Sequence, residues 1–199
     1  MGGIPLITVI MAGGKSSRMG PRIEKSLLKL GKETLLERTI AAINESRAGE
    51  IIVATTPATP KTSKFAIKLG LAVLETPGKD YVDDVYYLLD KFGKYLSVNA
   101  DIPFINKEAI NFLLSKVKKK SIACVLPNDS VHYPVSEDSM GKGGKGEDII
   151  WVGLNYVTLS PETDLLVMDD ELLAININTP FDLALALKIL RERAHKKHD

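Results

Sequence analysis

The sequence predicts a three-layer α/β/α domain built on a mostly parallel central sheet. Two observations carry this. Short apolar runs alternate with segments of helical periodicity through the first two thirds of the chain, the pattern of strand–helix–strand units. The runs are also continuous rather than alternating, as in strands covered on both faces. The 199 residues are 45% apolar, enough for one sizeable core, and the whole chain, 1–199, is expected to form a single domain.

Leu6 to Met11 is the first such run and ends at Gly13-Gly14. Lys25 to Leu30 is expected as a short extended segment stopped by Gly31. Thr34 is placed to cap a helix whose Leu35, Leu36, Thr39, Ile40 and Ile43 share a face. Ile51 to Ala54 forms the second strand, and Thr55 to Pro60 is a loop by composition. Pro60 opens the next helix, Gly70 closes it, and Leu71 to Leu74 is the third strand. Asp80 caps the helix carrying Val82, Val85, Tyr86, Leu89 and Phe92; Asp83 and Asp84 fall in its first turn, where negative charge is favourable in any case. Tyr95 to Ala100 is the fourth strand, Asn106 caps a helix over 107–119, and Ile122 to Leu126 is the fifth strand. Residues 127–149, with Gly141 to Gly146, are expected to be a flexible loop or lid. Ile149 to Leu159, 165–168 and 174–177 are expected as strands, and Pro180 starts a final helix.

A net charge of +1 with 26% charged residues gives no global field for nucleic acid or an anionic membrane. No apolar stretch approaches the ~20 residues of a membrane span, and the N-terminal run lacks the basic flank of a signal peptide. A cytoplasmic protein is expected. Cys124, the single cysteine, lies in an apolar run and reads as a small buried hydrophobe. His132, His195 and His198 do not form a ligand set by spacing.

The chemistry concentrates after the first strand, where ligands of such sheets bind. Gly13 and Gly14 let the backbone turn sharply and approach a ligand, so that successive N–H groups can cradle phosphate oxygens. Lys15, Ser16, Ser17 and Arg18 add donors, and Lys25 follows. A P-loop is excluded, because Val9 stands where its first glycine would be. Gly13 to Gly20 also lacks the Gly-x-Gly-x-x-Gly of dinucleotide sites.

Met11-Ala12-Gly13-Gly14-Lys15-Ser16-Ser17-Arg18-Met19-Gly20, with Lys25 and Leu27-Leu28, resembles the signature of molybdopterin-guanylyltransferase-like nucleotidyltransferases. Thr55 to Thr62, Thr76 to Tyr81, Val167 to Leu172 and Asn176 to Pro180 are similar to the archaeal adenosylcobinamide-phosphate guanylyltransferases of that superfamily. The resemblance implies a Rossmann-like nucleotidyltransferase fold, GTP as donor, adenosylcobinamide phosphate as acceptor, and Mg²⁺. It places the triphosphate on Ala12, Gly13, Gly14, Lys15 and Ser16, with Arg18 and Lys25 as catalytic cations. Asp101, just past the fourth strand, suits Mg²⁺ by residue type and takes that role in the family. Asn178 matches a position that supplies a second oxygen, or else caps the helix at Pro180. Thr55, Thr56, Gly78 and Asp80 are the candidates for base recognition. Four residues separate Gly20 from Lys25, one more than the family pattern, so Arg22 could share the role of Lys25. Trp151 and Tyr156 are candidate apolar surface for the acceptor. No nucleic acid or membrane partner is expected, and a homodimer is left open. Three alternatives stand: another acceptor such as molybdopterin or a sugar phosphate, a nucleotide-binding module without turnover, and a glycosyltransferase. The last lacks a convincing Asp-x-Asp motif.

Overall fold

The computed structural model describes residues 6–14, 16, 18–20 and 23–195. One sheet organises it. Its strands are β1 (Thr8–Met11), β4 (Ile51–Thr55), β5 (Ala72–Glu75), β6 (Lys94–Asn99), β7 (Ser121–Pro127), β9 (Asp148–Thr158) and β10 (Thr163–Val167), in the order β10-β7-β9-β6-β1-β4-β5. Pairings β1–β4, β1–β6, β4–β5 and β7–β10 are parallel. β9 runs against both β6 and β7, so the sheet is mostly parallel with one reversed strand inside it.

β1, β4 and β5 step outward in one direction, and β6 then pairs with the other side of β1. This reversal is a topological switch point, and it opens a crevice at the carboxyl ends of β1 and β6. The register aligns those ends, since Met11 lies opposite both Ala54 and Asn99.

The alternation of β1 divides the core. Ile10 faces the cluster that also holds Leu36 of α1 (Leu35–Asn44), Ala66 of α2 (Pro60–Lys68), and Ile110 and Leu113 of α4 (Lys107–Lys116). Val9 faces the opposite layer, with Leu88 and Leu89 of α3 (Tyr81–Phe92) and Tyr95. The final helix α5 (Pro180–His195) packs Ala186 and Ile189 on Leu30, Phe104, Ile175 and Ile177.

Local signals place the helices. Thr34 and Glu37 form a reciprocal capping box: the Glu37 N–H donates to Thr34 Oγ1 (3.1 Å) and the Thr34 N–H to Glu37 Oε2 (2.7 Å). Asp80 accepts from the Asp83 N–H (2.8 Å), and Asn106 from the Ala109 N–H (2.9 Å). Pro60 begins α2.

Four expectations change. Lys25–Leu27 is a 3-10 turn, and only Lys29–Leu30 (β2) is extended, pairing with Glu33–Thr34 (β3). The helix over 107–119 stops at Lys116. Residues 171–174 form a 3-10 turn rather than leading into a strand. The 127–149 segment is built rather than loose. It has 3-10 turns at Asn128–Ser130 and Glu137–Ser139, and strand β8 (Met140–Lys142) forms a hairpin with β9. The glycines close that hairpin: the Gly143 N–H donates to the Glu147 carbonyl (2.9 Å) and the Lys145 N–H to the Glu147 carboxylate (2.9 Å).

Cys124 is buried, and burial pushes its thiol up to about 12, as expected of an inert core residue. Among the described residues no helix is long and apolar enough to cross a membrane.

Thr34→Ala should remove the cap and cost about 1 kcal/mol in urea unfolding at pH 7. Hydrogen bonds from the Thr34 backbone and side chain lower the Glu37 pKa. A depressed carboxyl stabilises above its unfolded value, so the Thr34→Ala deficit should shrink as pH falls through the acid range in which Glu37 protonates.

Candidate active site

The crevice at the switch point holds a cavity of about 360 Å³. Met11, Gly13 and Gly14 from the β1 turn, Ala54 and Thr56 at the end of β4, and Thr76, Gly78, Lys79, Asp80, Tyr81 and Asp84 after β5 line it. Asn99 and Asp101 from the end of β6 complete the lining. A smaller cleft beside it is bounded by Gly13, Gly14, Ser16, Lys25 and Asp101.

Thr56 keys the glycine positions together. A Cβ on Gly13 would stand 2.5 Å from Thr56 Cγ2, and one on Gly78 would stand 2.8 Å from Thr56 Cβ. Gly78 also has φ +67°, a conformation side chains disfavour. Thr56 Oγ1 meanwhile accepts the Ala58 N–H (3.3 Å). The turn after β1, the end of β4 and the loop after β5 therefore meet on one buried side chain.

Lys25 lies at the centre of the polar cluster. Its Nζ donates to Asp101 Oδ2 (2.7 Å) and to Asn178 Oδ1 (2.9 Å). Its predecessor explains how it gets there. Glu24, only 8% exposed, accepts from the Lys61 N–H (3.0 Å), the Thr62 N–H (2.6 Å) and the Thr62 hydroxyl (2.7 Å). These are the free donors at the start of α2, where a carboxylate is favoured by both hydrogen bonding and the helix dipole. The added residue before Lys25 thus does not carry it away from Asp101.

Asn178 is held from the other side. Asp182 Oδ2 accepts the N–H groups of Asn178 (2.9 Å) and Thr179 (2.7 Å). Thr179 Oγ1 in turn accepts the Asp182 N–H (3.3 Å), so Thr179 caps α5 and leaves the Asn178 side chain for Lys25. The cap before Pro180 is therefore made by Thr179 and not by the Asn178 side chain.

Two further atoms face the cluster unpartnered. Asp101 Oδ1 and Ser16 Oγ are buried and take no hydrogen bond among the described residues. Ser16 has φ +48°, strained backbone for a residue with a side chain. A hard cation could use this donor set: Asp101 Oδ1 is free, and Asn178 Oδ1, which accepts from Lys25, has a second lone pair. Among the described residues there is no group of three or more His, Cys, Asp or Glu able to hold a metal by themselves, so phosphate oxygens or water would complete such a site.

Of the other expected residues, Ala12 and Asp80 line the site and the rest are placed differently. Arg18 forms an exposed ion pair with Asp138 of the 3-10 turn at 137–139. The Ala12 N–H is spent on the Ala54 carbonyl (2.9 Å), so it is not a free phosphate donor. Thr55 is fully buried beneath the cavity, where its carbonyl holds the Thr76 N–H (2.7 Å). Asp80 lines the cavity while capping α3. Tyr156 is 3% exposed and belongs to the core, whereas Trp151 is 37% exposed. His132 pairs with Glu171, whose carboxyl its hydrogen bonds hold below the usual range. Lys15, Ser17, Arg22 and His198 lie outside the described residues.

The structure adds Thr76, Lys79, Tyr81, Asp84 and Asn99 to the lining. Tyr81 is 47% exposed as a whole, but the burial of its hydroxyl end raises that group's pKa, and the nearby Asp101 charge adds to the rise. Tyr81 and Asp84 are one helical turn apart on α3, a periodicity signal that was present in the sequence.

The model of the MobA-like NTP transferase domain matches residues 8–143. The chain belongs to this family. An adenosylcobinamide-phosphate guanylyltransferase of Methanocaldococcus jannaschii is 30% identical over 92% of this chain and 97% of its own. A probable molybdenum cofactor guanylyltransferase of Pelotomaculum thermopropionicum is 29% identical over 89% and 90% of the two chains. A solved CMP:2-keto-3-deoxy-manno-octonic acid synthetase complexed with CTP superposes with a TM-score of 0.68, covering 94% of this chain and 98% of that one. At 13% identity it shows the fold alone. The chain is thus a nucleotidyltransferase with the expected Rossmann-like fold.

Gly13→Ala should abolish nucleotide binding, measured by titration with a fluorescent nucleotide, because its methyl overlaps Thr56 Cγ2. Adding Thr56→Ser removes that carbon and keeps the hydroxyl, so the double variant should regain most of the binding. Failure of this rescue would show that the steric contact is not what requires glycine.

Proposed function

We propose that this chain transfers GMP from GTP to adenosylcobinamide phosphate, giving adenosylcobinamide-GDP and pyrophosphate. The observation that carries the reading is the near-full-length likeness to the Methanocaldococcus jannaschii guanylyltransferase, over 92% of this chain and 97% of that one. A phosphate oxygen of the acceptor attacks the α-phosphorus, the bond from that phosphorus to the α,β-bridging oxygen breaks, and pyrophosphate leaves. The nucleophile is already anionic near neutral pH, since the second pKa of a phosphate monoester is ~6. No protein base is needed, and catalysis rests on positioning and charge.

Lys25 is the residue assigned to the triphosphate: it is fixed from behind by Glu24 and borders the cleft with Gly13, Gly14 and Ser16. Asp101 and Asn178 would hold Mg²⁺, which supplies neutralisation of phosphate charge when bound. Gly13, Gly14 and Ser16 take the phosphates, with Lys15 beside them in sequence. Thr56, Gly78 and Asp80 border the base subsite. Arg18 serves as an outer cation that would have to leave Asp138 to reach a substrate.

A second reading keeps the donor and exchanges the acceptor for molybdopterin. It is favoured by the relative named a probable molybdenum cofactor guanylyltransferase, nearly as similar over nearly as much chain.

The assay is incubation with α-labelled GTP, Mg²⁺ and each acceptor in turn. Label should appear in a corrinoid product; label with molybdopterin alone would overturn the proposal. Lys25→Ala should lower kcat by about 100- to 1000-fold with its circular dichroism unchanged. The rate should fall as pH drops below ~6, where the acceptor phosphate takes up its proton.

A further inference from the structure

The loop after β5 and the first turn of α3 contain a carboxylate that the sequence alone assigns to the helix dipole. Asp84 is 7% exposed and lines the cavity. Its Oδ1 accepts the Gly78 N–H (2.9 Å). Its other oxygen takes no hydrogen bond among the described residues, and no described cation forms an ion pair with it. The neighbouring Tyr95 hydroxyl is directed to the Val85 carbonyl instead (3.5 Å). That oxygen borders the cavity with acceptor capacity that no described protein donor fills, so its donors come from whatever the cavity holds.

Its location says what supplies them. Lys25 and Asp101 mark the phosphate end of the crevice, while Thr56, Thr76, Gly78 and Asp84 wall the end beyond β4 and β5. We propose that Asp84 reads the donor edge of guanine, taking hydrogen bonds from N1–H and the 2-amino group. An ionised carboxylate is acceptor-only. Guanine offers it two donors side by side. Adenine and cytosine each place a ring acceptor next to their amino group, and uracil flanks its one N–H with two carbonyls. Each of those sets a lone pair against the carboxylate. The Gly78 bond orients the reading oxygen and also fixes the loop that closes over the base. This inference rests on GTP being the donor nucleotide.

The test is equilibrium binding in Mg²⁺, by displacement of a fluorescent nucleotide, and needs no acceptor. The wild-type chain should bind ITP, which lacks the 2-amino group, about 10- to 100-fold more weakly than GTP. XTP, with a carbonyl in that place, should bind more weakly still. Asp84→Asn keeps an oxygen for the Gly78 N–H and offers the base an amide donor; it should lose at least about 10-fold in GTP affinity and bind XTP more tightly than wild type does. Equal wild-type binding of GTP, ITP and XTP would overturn the role of Asp84 whether or not the variant folds. So would an Asp84→Asn protein that keeps its preference for GTP over XTP. Tighter wild-type binding of CTP or ATP than GTP is a separate result: it would remove the GTP reading itself.

Discussion

The site depends on a buried carboxylate that touches no substrate. Glu24 closes the exposed donors at the start of α2, and this ties a segment with little regular structure to the rigid layer over β4 and β5. Hydrogen bonds to an ionised group are worth about 1.5–3 kcal/mol each, and here they come as a set of three. Lys25 is the next residue, so the helix cap also decides where its ammonium emerges. Without that anchor, the lysine would be one more long side chain on a surface turn.

The other half of the cluster is fixed by the same device. The Thr179–Asp182 cap at α5 grips the Asn178 backbone and turns its amide toward Lys25. Two helix N-termini, far apart in sequence, thus converge on Asp101 at the end of β6. The parallel strands supply the crevice, and capping chemistry supplies the aim. Lys25, Asp101 and Asn178 consequently form a network whose members are each immobilised before any ligand arrives, the condition under which fixed charges stabilise a transition state best.

Much of this was legible in the residues. The buried strands appear as unbroken apolar runs, and the caps at Thr34, Asp80 and Asn106 sit where short polar residues precede periodic ones. Lys25 and Asp101 both stood out as members of one phosphate site, but their direct ion pair appears only in the fold. What escaped had physical causes. Asp83 and Asp84 look alike in a first helical turn, yet only the packing of α3 on β6 decides which of them is buried. Glu24 gives no sign of its partner, because the donors that need it belong to another element. The 127–149 segment reads as loose by its glycines, but Gly143 and Gly146 serve the tight end of the β8–β9 hairpin, whose second strand is held in the sheet by β6 and β7. Arg18 looks equivalent to Lys25 by charge, and its pairing with Asp138 depends on where that distant segment folds.

The packing of Gly13 and Gly78 on Thr56 also sets a scale of length. In the proposed reading one turn faces the phosphates and the other the base, and a single buried side chain holds the two turns against each other. The distance between the two ends of the crevice is therefore a fixed gauge, set by the covalent size of a threonine. A nucleotide whose base is seated has its α-phosphorus delivered to one place, and a ligand of another length cannot be accommodated by loosening the loops. Discrimination among nucleotides then becomes partly a matter of dimension, decided before any hydrogen bond to the base is counted.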